Sequence, residues 1–114
     1  MNNIELNKMI VKYFPILENN YQDEVDWQEG DATGSHTVFG DVFTPYFVKC
    51  IESKKNEELY AIFNFLELLL SIQDKYIDEV VAFSVFESVG YLLNENKEII
   101  DMMGSRTKKM VEEL

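Results

Sequence analysis

The chain has 114 residues, of which 46% are hydrophobic and 13% aromatic, and its 21 acidic and 10 basic residues give a net charge of −11 at pH 7. This length predicts a single domain, residues 1–114, and the apolar content is sufficient for a packed core. The charge excludes nucleic acid and anionic membranes as expected direct ligands, because both require clustered lysine and arginine.

Three features of the sequence predict a cytoplasmic protein. The N-terminal segment has neither a basic leader nor a continuous apolar core, so we expect no signal peptide. The most apolar stretch, residues 59–72, is interrupted by Asn64 and Glu67 and is too short to span a bilayer. The single cysteine, Cys50, cannot form an internal disulfide, which is typical of a reducing compartment.

Helical spacing of apolar residues begins at the N-terminus. A first amphipathic helix is predicted to end before Pro15, because a residue that precedes proline disfavours the α conformation. Pro15 can itself open a second helix, whose apolar side carries Tyr21. The glycine- and serine-containing segment 29–35 has the composition of a turn, and we expect it to be an exposed acidic loop.

From His36 to Ile51, apolar pairs recur every four residues and predict a third helix. Pro45 lies within this pattern and either kinks the helix or splits it. We expect Thr44 to cap the second half, since threonine is a favoured N-cap residue.

The remaining chain predicts two helices, residues 57–73 and 77–93, that are apolar around most of their circumference. Helices of this kind lie at the centre of a bundle. A short helix follows, and Ser105 is predicted to open a terminal helix after Gly104. No segment alternates with a period of two, so the predicted fold class is all-α: a single-domain bundle of about five to seven helices around the two central ones.

One sign of charge dominates the chain between Lys12 and Lys49. This stretch has no lysine or arginine, but it contains seven carboxylates, the only tryptophan and the only histidine. A surface of one sign with aromatic anchors attracts and binds an oppositely charged protein. The predicted partner-binding residues are Tyr21, Asp23, Glu24, Asp26, Trp27, Glu29, Asp31, His36 and Asp41, with Tyr21 and Trp27 as the anchors buried by the partner.

Helix carboxylates suggest a second kind of site. Glu67 and Glu87 each lie in an otherwise apolar helix, and a facing pair can share a proton or hold a metal ion. Bundle di-metal sites also need Glu-x-x-His pairs or further inward carboxylates, and neither helix contains a histidine. We therefore expect both side chains to be solvated or bonded to local hydroxyl groups. A second possible metal set is His36 with Asp31 and Asp41, although the calcium-loop pattern is absent.

No catalytic motif identifies a reaction. The chain has no Gly-x-Ser-x-Gly, phosphate loop, dinucleotide fingerprint or zinc spacing. His36 follows Ser35 directly, and adjacent residues of a helix do not face each other. We therefore expect no enzymatic activity, no cofactor and no resident metal.

Several short motifs are spread along the chain: Gly30-Asp31, His36, Phe39-Gly40, Pro45-Tyr46, residues 63–67, Glu87 and residues 103–107. With these motifs the chain resembles a family of small acidic helical bacterial proteins without an assigned function. The resemblance implies an all-helical domain in a bacterial cytoplasm and supplies no catalytic residue. In size, charge and fold class the chain is also similar to immunity proteins, which neutralise basic nuclease toxins delivered between competing bacteria.

The leading functional prediction is therefore an inhibitor of the immunity or antitoxin type, which docks on a basic partner such as a nuclease toxin. One alternative is a metal-binding protein or metal-dependent enzyme that uses helix carboxylates. Another is a helical adaptor or homodimer that meets its partner through apolar surface remaining on residues 59–93. Self-association through the acidic stretch is disfavoured, because like charges repel.

Overall fold

Six helical rods, connected by short turns, make up the structure, a computed structural model that describes all 114 residues. The rods are α1 (Asn3–Tyr13), α2 (Glu18–Trp27), α3 (residues 35–52), α4 (Asn56–Ser71), α5 (residues 75–95) and α6 (Ser105–Glu113), and 3₁₀ turns cover Pro15–Leu17, Gly30–Ala32 and Lys97–Met102. No β-strand is present. The predicted all-α bundle of five to seven helices is confirmed.

Helices α3 and α5 each contain a π-helical segment inside an otherwise α-helical rod. The segments are Phe39–Phe43 in α3 and Val80–Phe86 in α5, and they pack against each other. A π-helical turn is wider than an α-helical one and often occurs at functional sites. The sequence pattern did not predict these segments, because a period of 3.6 residues and a slightly longer one differ little over a few residues.

Helix α3 continues through Pro45, and the predicted N-cap at Thr44 is wrong. The preceding residue, Phe43, has helical dihedral angles of −77° and −48°, so no new helix begins here. Instead, the buried Thr44 hydroxyl donates a hydrogen bond to the carbonyl oxygen of Ser84 at 2.7 Å. Thr44 therefore joins α3 to the π-helical segment of α5.

One hydrophobic core of 30 buried residues extends through the bundle, and α4 and α5 supply half of them. This confirms that the two apolar helices are central, with ends within two residues of the predicted ones. Phe47 of α3 joins both helices through edge-to-face contacts, with ring centroids 5.6 Å from Phe63 and 6.0 Å from Phe86. Such geometry adds about 0.5–1.5 kcal/mol per pair beyond the burial of area.

Hydrogen bonds from α1 hold the loop at residues 29–35, which connects α2 to α3. The buried Asn7 side chain donates hydrogen bonds to the carbonyl oxygens of Asp31 at 3.1 Å and Thr33 at 2.7 Å. Thr33 and Ser35 are themselves buried. The prediction of an exposed loop is wrong at these two residues, because polar side chains of α1 satisfy the loop backbone and allow it to be covered.

Helix α4 is the most apolar rod, with 16 residues and seven buried apolar side chains. It also carries Glu57 and Glu58 in its first turn and Glu67 further along. None of the six rods combines the length and the apolarity that a membrane span requires.

Candidate protein-binding surface

Helix α2 packs one side against the core and turns the other to solvent. Tyr21 and Val25, one turn apart, form its buried side. At 100° per residue, Asp23, Glu24 and Trp27 fall within an arc of roughly 100° on the opposite side. The helix therefore presents two carboxylates and an indole together.

Trp27 is the most exposed large apolar side chain in the molecule. It is the last residue of α2, and 80% of its surface is accessible to solvent. Exposed apolar residues are common on proteins, but tryptophan is enriched at binding interfaces, where it dominates the energy of association. Trp27 therefore lies outside the core with most of its surface accessible, and its role as an interface anchor stays a prediction.

Glu24 of α2 and Asp41 of α3 face each other across the boundary between the two helices. Helix α2 packs here against residues 39–43 of α3. A hydrogen bond with Asp41, followed by partial burial and repulsion from the Asp41 charge, raises the pKa of Glu24 above its usual value. The Gln28 amide, which donates to Glu24 Oε2 at 3.3 Å, opposes this change.

We define the acidic surface as Trp27 together with the carboxylates of Asp23, Glu24, Asp26 and Glu29 in residues 23–29 and that of Asp41, which meets Glu24 from α3. None of these carboxylates has a lysine or arginine partner. The structure contains one ion pair shorter than 4.0 Å, between Lys8 and Asp31 at 3.7 Å, and it lies outside this set. Unpaired charges of one sign project an attractive field toward a basic protein.

Two predicted partner-binding residues, Tyr21 and Asp31, support the fold instead. Tyr21 is only 4% exposed, and its hydroxyl donates a hydrogen bond to Asp31 Oδ1 at 2.9 Å. Burial, followed by this bond and the Asp31 charge, raises the pKa of Tyr21. The prediction of Tyr21 as an interface anchor is therefore wrong, because its ring is already part of the core.

The His36 side chain also contacts other side chains of its own chain. Its Nδ1 lies 2.6 Å from Ser84 Oγ, and its ring meets the Tyr76 ring edge-on with centroids 5.5 Å apart. A histidine hydrogen-bonded to a serine is also the arrangement of a general base and its nucleophile in some enzymes. However, none of the three clefts in the structure is lined by either residue. The pair therefore joins α3 to α5.

Glu67 accepts hydrogen bonds at the N-terminus of α6. Its Oε1 receives the Thr107 amide at 3.0 Å and the Thr107 hydroxyl at 2.8 Å, while Oε2 receives the Arg106 amide at 3.2 Å. Burial opposes ionisation, but these bonds outweigh it and lower the pKa of Glu67. The carboxylate thus caps a helix that lies 40 residues further along the chain.

The structure does not pair Glu67 with Glu87. Glu87 is exposed on α5, whereas both oxygens of Glu67 are occupied by α6. The expected bond to a hydroxyl group is present for Glu67, although Thr107 is distant in sequence rather than local. Glu67 is thus a structural residue, and the idea of a facing pair that shares a proton is wrong.

No three side chains of histidine, cysteine, aspartate or glutamate are placed to share a metal ion. In the second predicted metal set, His36, Asp31 and Asp41 each contact a different neighbour. The geometry therefore adds no support to the metal alternative.

A second exposed aromatic feature lies on α5 and was not among the predicted sites. Phe83, Glu87 and Tyr91 recur every four residues, and the two rings are 55% and 59% exposed. Their regular spacing was visible in the sequence as an interruption of the buried pattern. This stripe carries one carboxylate, in contrast to the five of the acidic surface.

No curated protein and no solved structure matches this chain. A family model described as a domain of unknown function, DUF7674, matches residues 7–113. The match includes the whole acidic surface and the Glu67–Thr107 contact, and it confirms the predicted membership of a family without an assigned function. The chain therefore belongs to the DUF7674 family of domains of unknown function.

Proposed function

We propose that this protein binds a basic partner protein through the acidic surface and acts as an inhibitor of the immunity or antitoxin type in a bacterial cytoplasm. The observation that carries the proposal is Trp27, an indole 80% exposed among carboxylates that no lysine or arginine of the chain neutralises. The likeness in size and charge to immunity proteins supports the inhibitory role.

The two kinds of side chain contribute differently to binding. Covering the indole removes on the order of 150 Å² of surface from water, which stabilises a complex by roughly 3–4 kcal/mol before the costs of association. The surrounding carboxylates mainly raise the association rate, because their field guides a basic protein toward the surface. Trp27 should therefore control dissociation, and the carboxylates should control association.

An acidic surface can inhibit a nuclease by occupying the groove that normally holds nucleic acid. The groove binds phosphates through lysine and arginine, so a set of carboxylates competes for the same cations. Asp23, Asp26 and Glu29 are exposed and available for such contacts. This would give an inhibitor that blocks access to the substrate without any chemistry of its own.

Affinity capture tests the proposed partner class. The natural protein, Trp27→Ala and the control Tyr91→Ala, which removes an exposed ring on α5, are immobilised and exposed to lysate of the cells that encode the chain. We expect the natural protein and the control to retain one protein with an isoelectric point above about 9. Trp27→Ala should retain much less of it. Capture of no basic protein, or equal capture by Trp27→Ala, would contradict the proposal.

An activity assay then tests whether this protein inhibits the captured partner. If the partner degrades nucleic acid, an equimolar amount of the natural protein should abolish cleavage, and Trp27→Ala should do so only at higher concentration. Unchanged cleavage within a stable complex would reject the inhibitory role while leaving partner binding intact.

The α5 stripe favours a second candidate function, a helical adaptor or homodimer. Phe83 and Tyr91 expose apolar surface outside the acidic surface. Light scattering at low and high salt tests self-association. A dimer that dissociates in Phe83→Ser but not in Trp27→Ala would support this candidate.

A further inference from the structure

We infer that the acidic surface recognises an arginine side chain of the partner, held between the Trp27 indole and the carboxyl groups of Glu24 and Asp41. This inference rests on the proposed function and adds the chemical group that is recognised. Trp27 follows Glu24 by three residues on α2, so the two side chains are neighbours with Cβ atoms about 5–6 Å apart. Asp41 meets Glu24 from α3, where residues 39–43 pack against α2.

The contact between Glu24 and Asp41 lacks a cation. Two facing carboxylates repel, and a shared proton or cation relieves that repulsion. No lysine or arginine lies between residues 13 and 48, and no ion pair of the folded chain reaches either group. The raised pKa of Glu24 agrees with this unmet demand for positive charge. A partner is therefore the source of charge complementarity.

The geometry favours arginine over lysine. A guanidinium is flat, carries five N–H donors in one plane and stacks on aromatic faces. It can therefore lie on the Trp27 indole while its edge donates to both carboxyl groups. A lysine ammonium is a compact and strongly hydrated charge without a flat face to stack. Cation–π contact at an exposed site contributes about 0.5–1 kcal/mol, which corresponds to a two- to five-fold change in affinity.

The α5 stripe offers an internal comparison. There, Phe83 and Tyr91 flank a single carboxylate, Glu87, so a bound cation meets one negative charge instead of two. The combination of an exposed indole with two carboxyl groups from adjacent helices distinguishes the acidic surface.

Peptide titrations test the inference. Trp27 is the only tryptophan, so its indole N–H gives one identifiable signal in a proton–nitrogen correlation spectrum. The probes are acetylated and amidated Gly-Arg-Arg-Gly and Gly-Lys-Lys-Gly at low salt. We expect both to shift the signal, with the arginine peptide binding about three-fold more tightly. Equal affinities would overturn the inference without touching the proposed function. Absence of a shift would also overturn it, and the capture experiment decides the proposed function separately.

Paired variants exclude a general charge effect. Glu24→Gln with Asp41→Asn should reduce the arginine preference to nearly one. The control, Glu112→Gln with Glu113→Gln, removes the same charge from the exposed end of α6 and should preserve the preference. Loss of the preference in the control, or its survival in the first variant, would contradict recognition by Glu24 and Asp41.

Discussion

Glu67 shows that a carboxylate in an otherwise apolar helix can have a structural role instead of a catalytic one. The first amides of a helix have no partner within that helix, and their dipoles favour negative charge. Glu67 satisfies the amides of Arg106 and Thr107 from outside α6, so the helix needs no cap from its own sequence. The side chain is half-buried because α6 covers it.

We expect Glu67→Gln to destabilise the protein by about 1–2 kcal/mol near pH 7, because a neutral amide accepts weaker hydrogen bonds and does not complement the helix dipole. Chemical denaturation measures the change. The control Glu87→Gln, at an exposed position, should stay within about 0.5 kcal/mol. Equal effects of the two substitutions would contradict the capping role.

The same contact predicts a pH dependence. Because the pKa of Glu67 is lowered by folding, its ionised form stabilises the protein above the pKa of the unfolded chain, about 4.3, and this stabilisation is lost as pH falls through the lower folded pKa. The difference in unfolding free energy between the natural protein and Glu67→Gln should therefore shrink below about pH 4. If this difference in unfolding free energy instead grew as the pH fell, folding would not favour the ionised form of Glu67.

Gly104 permits the close approach of Glu67. A Cβ at this position would lie 2.5 Å from both Cδ and Oε1 of the carboxylate. Gly104→Ala should therefore displace the cap and cost about 1–3 kcal/mol, while the helical Gly90→Ala, with nothing within 4 Å, should be neutral or stabilising. In a Glu67→Ala background the Gly104 effect should largely vanish. Urea denaturation measures the changes in unfolding free energy. If the changes caused by Gly104→Ala and Glu67→Ala were fully additive, the close contact between these two residues would be contradicted.

At the scale of elements, the spacing of apolar residues predicted most of the fold. Residues such as Phe63, Leu66 and Leu70 repeat at helical intervals, so α4 could be located from sequence to within two residues. Hydrogen bonds between distant polar groups left no such periodic signal. The anchoring of residues 29–35 by Asn7 and the junction between Thr44 and Ser84 were missed for that reason.

The anchored loop makes a prediction at this scale. Asn7→Ala would leave the carbonyl groups of Asp31 and Thr33 without their donor, and we expect a loss of about 1–3 kcal/mol. Hydrogen exchange at Thr33 and Ser35 should accelerate more than in the α4–α5 core, since the loop opens locally. The exposed Asn20→Ala is the control. Unchanged exchange in the loop would contradict the anchoring role.

The candidate site was partly predictable from sequence. Charge counting identified the acidic stretch, and Trp27, predicted as an anchor that a partner buries, is exposed in the free protein. Tyr21 was misassigned although a signal existed: Leu17, Tyr21 and Val25 recur every four residues and share the buried side. The contact between Glu24 and Asp41 depends on how α2 meets α3, and no local pattern contains that information.

At the scale of the whole molecule, the charge of −11 is scarcely compensated within the fold. A single ion pair shorter than 4.0 Å accompanies 21 acidic residues. Self-repulsion of this kind destabilises the compact state but preserves an attractive field for a basic protein. The stability lost to repulsion is thus linked to the proposed function.

Salt should stabilise the free protein for the same reason. We expect the midpoint of thermal unfolding to rise between about 20 mM and 0.5 M sodium chloride, as the Debye length falls to roughly 4 Å and repulsion is screened. The quadruple variant of Asp23→Asn, Glu24→Gln, Asp26→Asn and Glu29→Gln should start from a higher midpoint and respond less. A midpoint that falls with salt would show that attractive ion pairs dominate instead.

The most direct test of the central claim is the association rate between the captured partner and this protein, measured by stopped-flow fluorescence of Trp27. The quadruple neutral variant should associate about 10- to 100-fold more slowly than the natural protein at low salt, and the two rates should converge near 0.5 M salt. Neutralising four carboxylates elsewhere, Glu95, Glu98, Glu112 and Glu113, should have a much smaller effect. An association rate that is independent of salt, or equally reduced by both sets, would contradict recognition through the acidic surface.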